Sequence, residues 1–111
     1  MASKNNNKEE LKTEDKQLRD YELIFIISPE VEEETLEATV GSVTQFITGK
    51  DGIISDEERW GKRKLAYPLK RFREGNYVLT RFKMRPVWSK ELEASLQISE
   101  EILRHLLIKI K

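Results

Sequence analysis

The sequence has no cysteine, a single histidine, three prolines and five glycines in 111 residues. The missing cysteines exclude disulfides, thiol nucleophiles, iron–sulfur clusters and thiolate zinc sites together. His105, alone, gives no transition-metal ligand set. No apolar run approaches the roughly 20 residues that cross a bilayer. The first residues hold no secretory apolar stretch and too many acids for an organelle transit peptide. The phosphate-cradling patterns G-x-x-x-x-G-K-[ST] and G-x-G-x-x-G are absent. Glu32, Glu33 and Glu34 are consecutive, so they fan around a helix and do not converge as catalytic acids. No cofactor or metal is expected, and no enzyme. A chain of this length forms one domain that folds without covalent staples.

Net charge is missing as well: 20 basic groups meet 20 acidic ones. The zero hides a segregation. Residues 1–58 carry 15 acidic and 6 basic groups, net −9, whereas residues 59–85 carry ten basic groups against Glu74 alone, net +9. Asymmetry of this kind points to a polyanion-facing side.

Residues 1–20 are polar, with Leu11 and Leu18 as the only sizeable apolar groups. They read as a disordered or loosely docked extension ahead of a domain over residues 21–111. Tyr21 to Ser28 holds five consecutive apolar residues and reads as a strand buried on both faces. Ser28-Pro29-Glu30 then looks like a helix start, with Ser28 as cap and Pro29 in the first turn. Leu36, Val40, Val43 and Ile47 mark one face of that helix. Ile53 to Tyr67 reads as a second strand, irregular at Gly61, where a bulge is expected. Residues 70–76 read as a long basic hairpin loop. Tyr77 to Met84 alternates cleanly: Val78, Thr80, Phe82 and Met84 on one face, Tyr77, Leu79, Arg81 and Lys83 on the other. Ser89 is the expected cap of a second helix carrying Leu92 and Leu96, and Ile102 to Ile110 is the last strand.

The order β-α-β-β-α-β predicts an α+β, ferredoxin-like split βαβ domain: a four-stranded antiparallel sheet with two helices on one face and strands one and three central. The other sheet face is left open. Tyr77 and Leu79 on it are the expected protein-partner surface, the alternative being coverage by the chain's own extension or hairpin. The candidate RNA-binding residues are Arg59, Lys62, Arg63, Lys64, Lys70, Arg71, Arg73, Arg81 and Lys83, gathered by one hairpin. Lys and Arg clustered in this way bind phosphates, and Arg also pairs bidentately or stacks on bases. The bland alternative is a solvated face balanced by the acidic helix.

At Trp60-Gly61-Lys62-Arg63-Lys64-Leu65-Ala66-Tyr67-Pro68-Leu69 the chain resembles the bacterial-type small-subunit ribosomal protein S6 family. Tyr21-Glu22, Ser28-Pro29-Glu30, Glu74-Gly75-Asn76-Tyr77 and Leu103 to Lys109 agree with it, so the resemblance spans residues 21–111. It implies a non-catalytic constituent of the cytoplasmic ribosome that binds the central domain of small-subunit ribosomal RNA and pairs with ribosomal protein S18. Lys62, Arg63 and Lys64 match the family's basic motif; Lys70, Arg71 and Arg73 fall in a loop that varies. Two other readings stay open. An RNA-recognition-motif module shares the strand order, although Glu74 to Arg81 lacks that motif's paired aromatics. A protein-interaction domain using the open face would leave the basic hairpin unexplained.

Overall fold

The computed structural model describes residues 17–110. Its elements are β1 (Arg19–Ile27), α1 (Glu33–Gly49), β2 (Ile53–Leu69), β3 (Phe72–Met84), α2 (Ser89–Ile98) and β4 (Ile102–Ile110), with one 3-10 turn at Pro86–Trp88. The strands form one antiparallel sheet in the order β2-β3-β1-β4. This is the expected split βαβ fold, with β1 and β3 central. Most of the 1–20 extension lies outside the described residues. β1 begins at Arg19, two residues before the expected boundary.

One sheet face carries the core. Leu23, Phe25 and Ile27 of β1 and Val78, Phe82 and Met84 of β3 are buried against Val40, Val43 and Ile47 of α1 and Leu92 and Leu96 of α2. The alternation that separates Val78, Thr80, Phe82 and Met84 from Tyr77 through Lys83 therefore has the expected sense. Beyond the end of α1, the Lys50 ammonium sits 4.2 Å from the Trp88 ring centroid and so ties α1 to the start of α2.

Three local expectations are corrected. Ser28 does not cap α1, which begins at Glu33 with Glu32 as its cap residue. The Ser28 hydroxyl instead accepts the Glu30 N–H at 3.2 Å, its N–H donates to the Glu101 carbonyl at 2.8 Å, and its carbonyl accepts from the Asn76 amide at 3.2 Å. Ser28 is thus tied to the sheet end by Glu101 and Asn76 and closes only a local turn with Glu30, ahead of the helix start at Glu33. Glu33 and Glu34 still occupy the first turn, where the positive helix end favours them. Ser89 likewise is not a cap. The 3-10 turn runs directly into α2, and Ser89 already has helical φ and ψ. Finally, residues 70–76 are not a long loop. β3 starts at Phe72, and Leu69 pairs with Phe72 across a two-residue turn at Lys70-Arg71.

Candidate nucleic-acid interface and open sheet face

β2 and β3 form a long twisted ribbon in which β2 carries extra residues at three places. Ile54 and Asp56 pair with the consecutive Phe82 and Arg81, so Ser55 bulges. Arg59 and Gly61 pair with Val78 and Tyr77, so Trp60 bulges. Gly61 has φ of 79°, a left-handed value that a side chain resists, as the expected bulge requires. The third irregularity is larger. Lys64 pairs with Glu74 and Leu69 with Phe72, so residues 65–68 stand opposite Arg73 alone. Pro68 lacks the N–H that a regular ladder would use. This excess chain arches over the open sheet face, where the Tyr67 hydroxyl meets the Arg104 guanidinium of β4.

The arch makes one wall of a cleft of about 240 Å³. Leu65, Tyr67 and Leu69 line it with Ile24 and Ile26 of β1, Tyr77 of β3 and Leu106 of β4. Tyr77 is half-buried and stacks on Trp60, with centroids 6.1 Å apart and planes at 15°. Leu79 is only 3 % exposed, which corrects its place as a partner-facing group. It lies between Ile24 on β1 and Glu58 on β2, under the row in which the Trp60 indole donates to Glu58 and Glu58 meets Arg81. Sequence reasoning missed β4: Leu106, Ile108 and Ile110 stand 40–51 % exposed on the sheet's outer strand. Their two-residue alternation was present in the letters. The alternative of self-coverage is thus realised in part, by the hairpin.

The nine candidate cations divide. Arg59 points to the helix side, where its guanidinium holds both Glu37 carboxylate oxygens at 2.6 and 3.0 Å and Glu57 at 2.8 Å. Those hydrogen bonds push its pKa up and the Glu37 carboxyl down. On the open face Arg81 reaches Glu22 and Asp56 at 3.0 Å and Glu58 at 3.3 Å, and Lys83 reaches Asp20 at 3.0 Å. These three are matched to carboxylates inside the domain. The other six sit on the distal half of the ribbon. Lys62, Arg63, Lys64, Lys70 and Arg73 are exposed and have no ion-pair partner among the described residues. Arg71 comes no nearer than 3.9 Å to Glu30. Arg63 is held in place: its guanidinium lies 5.4 Å from the Trp60 ring centroid, and its Nε donates to the Trp60 carbonyl at 3.3 Å.

This fold, with its basic arm and apolar open face, matches a known family. The family model for ribosomal protein S6 matches residues 20–109. The chain belongs to the ribosomal protein S6 family. It is 39% identical over 94 residues to small ribosomal subunit protein bS6 of Moorella thermoacetica, covering 85% of this chain and 96% of that one. The bS6 of Dehalococcoides mccartyi is 39% identical over 100 residues, at 90% and 92% coverage. The crystal structure of 30S ribosomal protein S6 from Thermotoga maritima superposes with a TM-score of 0.80 at 37% identity, covering 85% of this chain and 89% of that one. The P2 domain of a chemotaxis kinase, 13% identical at a TM-score of 0.56, shares the fold alone. The family is one of structural proteins of the small ribosomal subunit, not of enzymes.

Proposed function

We propose that the chain binds the central domain of small-subunit ribosomal RNA through the distal half of the β2–β3 ribbon, and pairs with ribosomal protein S18 through its open sheet face, in the cytoplasmic ribosome. The observation that carries this reading is the division among the cations. Among the described residues, Lys62, Arg63, Lys64, Lys70, Arg71 and Arg73 keep their charge free or nearly so on one projecting arm. Arg59, Arg81 and Lys83 spend theirs on neighbouring carboxylates and hold the base of the ribbon. Cations that neutralise phosphates release counterions from RNA on binding, and the unmatched ones do so without first giving up a carboxylate. The partner surface shifts with the geometry. Leu79 is inaccessible, so the exposed apolar row of Leu106, Ile108 and Ile110 joins Tyr77. Exposed apolar surface of this kind marks an interface. The recognition-motif alternative is disfavoured: the one ring on the open face of the two central strands, Tyr77, is already stacked on Trp60, and no free ring awaits a base there.

The test is the salt dependence of binding to a transcript of the rRNA central domain, with S18 present. Replacing Lys62, Arg63 and Lys64 by Ala should flatten the log–log slope by about 0.7–0.9 per lost phosphate contact. Replacing Arg59, Arg81 and Lys83 should leave the slope intact and lower stability. An unchanged slope in the first variant would move the RNA site elsewhere.

A further inference from the structure

The free cations of the ribbon do not form one patch, and their arrangement follows from strand parity. In β3, Tyr77, Gly75 and Arg73 share the open face, while Asn76 and Glu74 share the helix side. The pairing confirms the sense. A side chain on Gly75 would meet Ile26 on the open face, and Asn76 pairs with the core residue Ile27. In β2, past the Trp60 bulge, Arg63 pairs with Gly75, Lys62 with Asn76 and Lys64 with Glu74. The distal ribbon therefore shows Arg63 and Arg73 on one face and Lys62 and Lys64 on the other, with Lys70 and Arg71 at the tip. Glu74 shares the lysine face and makes it the weaker of the two.

We infer that the ribbon works as a two-sided wedge, inserted between two phosphate backbones of folded RNA, with its arginine face making the discriminating contacts and its lysine face the charge contacts. The inference rests on the RNA-binding reading above. Side chains on opposite faces of a ribbon point away from each other, so the two rows of charge face opposite ways. One phosphate strand lying against one face leaves the other row unneutralised, so full use of both rows needs a groove or a junction where two backbones converge. The residue types differ by face as well. Both discriminating positions are Arg, a planar fork that binds phosphate bidentately and stacks on bases. Arg63 is already ordered on the Trp60 ring, and Arg73 borders a shallow cleft at the arch that Lys64, Tyr67 and Pro68 also line. The opposite face offers two ammonium groups, which act as compact point charges.

The experiment measures binding of the full chain, with S18 present, to the central-domain transcript and to an unrelated RNA duplex of equal length, across a salt series. Lys62→Ala with Lys64→Ala should lower the slope by about 1.4–1.8 for two lost contacts and reduce affinity for both RNAs alike. Arg63→Lys with Arg73→Lys keeps the charge, so the slope should hold while preference for the transcript falls roughly tenfold. Arg63→Ala with Arg73→Ala should lose both slope and preference. If either alanine pair leaves the slope unchanged while the other lowers it, one face is not against RNA and the wedge is overturned. Loss of S18 co-purification with the Arg63/Arg73 alanine pair, at unaltered RNA slope, would assign that face to protein and overturn it too. A wild-type chain that shows no binding to the transcript would instead refute the RNA reading on which the inference stands.

Discussion

Gly75 offers a sharp test of how the sheet is built. It is buried in β3, and a Cβ placed on it would lie 2.4 Å from the Cγ2 of Ile26 and 3.3 Å from the Ile27 carbonyl oxygen. The first contact is more than 1 Å inside the usual carbon–carbon separation of about 3.5–4.0 Å. Cγ2 is attached directly to the branched Cβ of Ile26, and such side chains are stiff at χ1. Gly75→Ala must therefore shift β1 against β3 or drive Ile26 off its rotamer, at about 1–3 kcal/mol for overpacking of this kind. The loss of unfolded-state freedom returns about 0.4–1 kcal/mol. The net expectation is a destabilisation of about 1–2 kcal/mol, or a Tm lowered by roughly 5–15 °C in a domain of this size. Gly41, inside α1, is the matched control, since a Cβ there meets nothing within 4 Å. Gly41→Ala should gain about 0.5–1 kcal/mol. Urea melts of both variants decide the matter, together with a cycle in which Ile26→Ala removes the colliding methyl and the double variant loses less than the sum. A Gly75→Ala protein as stable as the parent, beside a stabilised Gly41→Ala, would refute the close approach.

Two further predictions follow from the side chains. The Glu37 carboxyl is held below its ordinary value by the Arg59 hydrogen bonds, and the Glu58 carboxyl by the hydrogen bond from the Trp60 indole and then by Arg81. Folded values below the unfolded ones give stability that is present above the ordinary carboxylate range and lost as pH falls through the depressed values. Glu37→Gln and Glu58→Gln should thus lower the urea midpoint at pH 7 and converge on the parent below about pH 4; a constant offset across pH would contradict the ion pairing. Leu79→Ala should cost about 2–4 kcal/mol as a buried truncation. Leu106→Ala, half-exposed on the same face, should change stability by less than about 1 kcal/mol yet weaken S18 co-purification; the reverse ranking would invert the assignment of the two residues.

The core face was legible because it rests on periodicity within one element, and the strand order and central pair because the β-α-β-β-α-β sequence of elements and the handedness of crossovers fix them. Val78, Thr80, Phe82 and Met84 announce their side by alternation alone, and Val40, Val43 and Ile47 by helical spacing. What failed depended on partners in another element. Ser28 carries every local sign of a helix cap, but Asn76 and Glu101 claim its backbone. The turn at Lys70-Arg71 was hidden because Lys70 takes a φ of 56° without being Gly or Asn, and because residues 65–68 form an arch with no two-residue alternation. Leu79 is open-faced by parity and buried by its neighbours, a fact that needs the register of β2. That register is shifted by single-residue bulges at Ser55 and Trp60; Gly61 signals the second, and nothing in the residues around Ser55 signals the first.

The order of charges along β2 and β3 explains how a chain with no net charge can present a basic arm. Along β2 the acids Asp56, Glu57 and Glu58 come first and the cations Lys62, Arg63 and Lys64 follow, while β3 runs back past them with Arg73 at the far end and Arg81 and Lys83 near the base. Antiparallel pairing therefore sets Asp56 against Arg81 at the base of the ribbon, whereas beyond Trp60 the cations Lys62, Arg63 and Lys64 stand opposite Asn76, Gly75 and Glu74. Arg81 meets Glu22, Asp56 and Glu58 at one end; at the other, Glu74 is the single acid. The Trp60 bulge stands at the changeover. Its indole donates to Glu58, the last acid of the paired base, and its ring carries Arg63, one of the first unmatched cations of the arm. Removing the ring by Trp60→Leu should leave the net charge of the arm untouched. It would free Arg63 to swing toward Glu58, where it would be neutralised. The expected result is a salt slope lowered by about one contact with no charged residue changed. A slope equal to the parent's would show that the ring does not hold Arg63 for RNA.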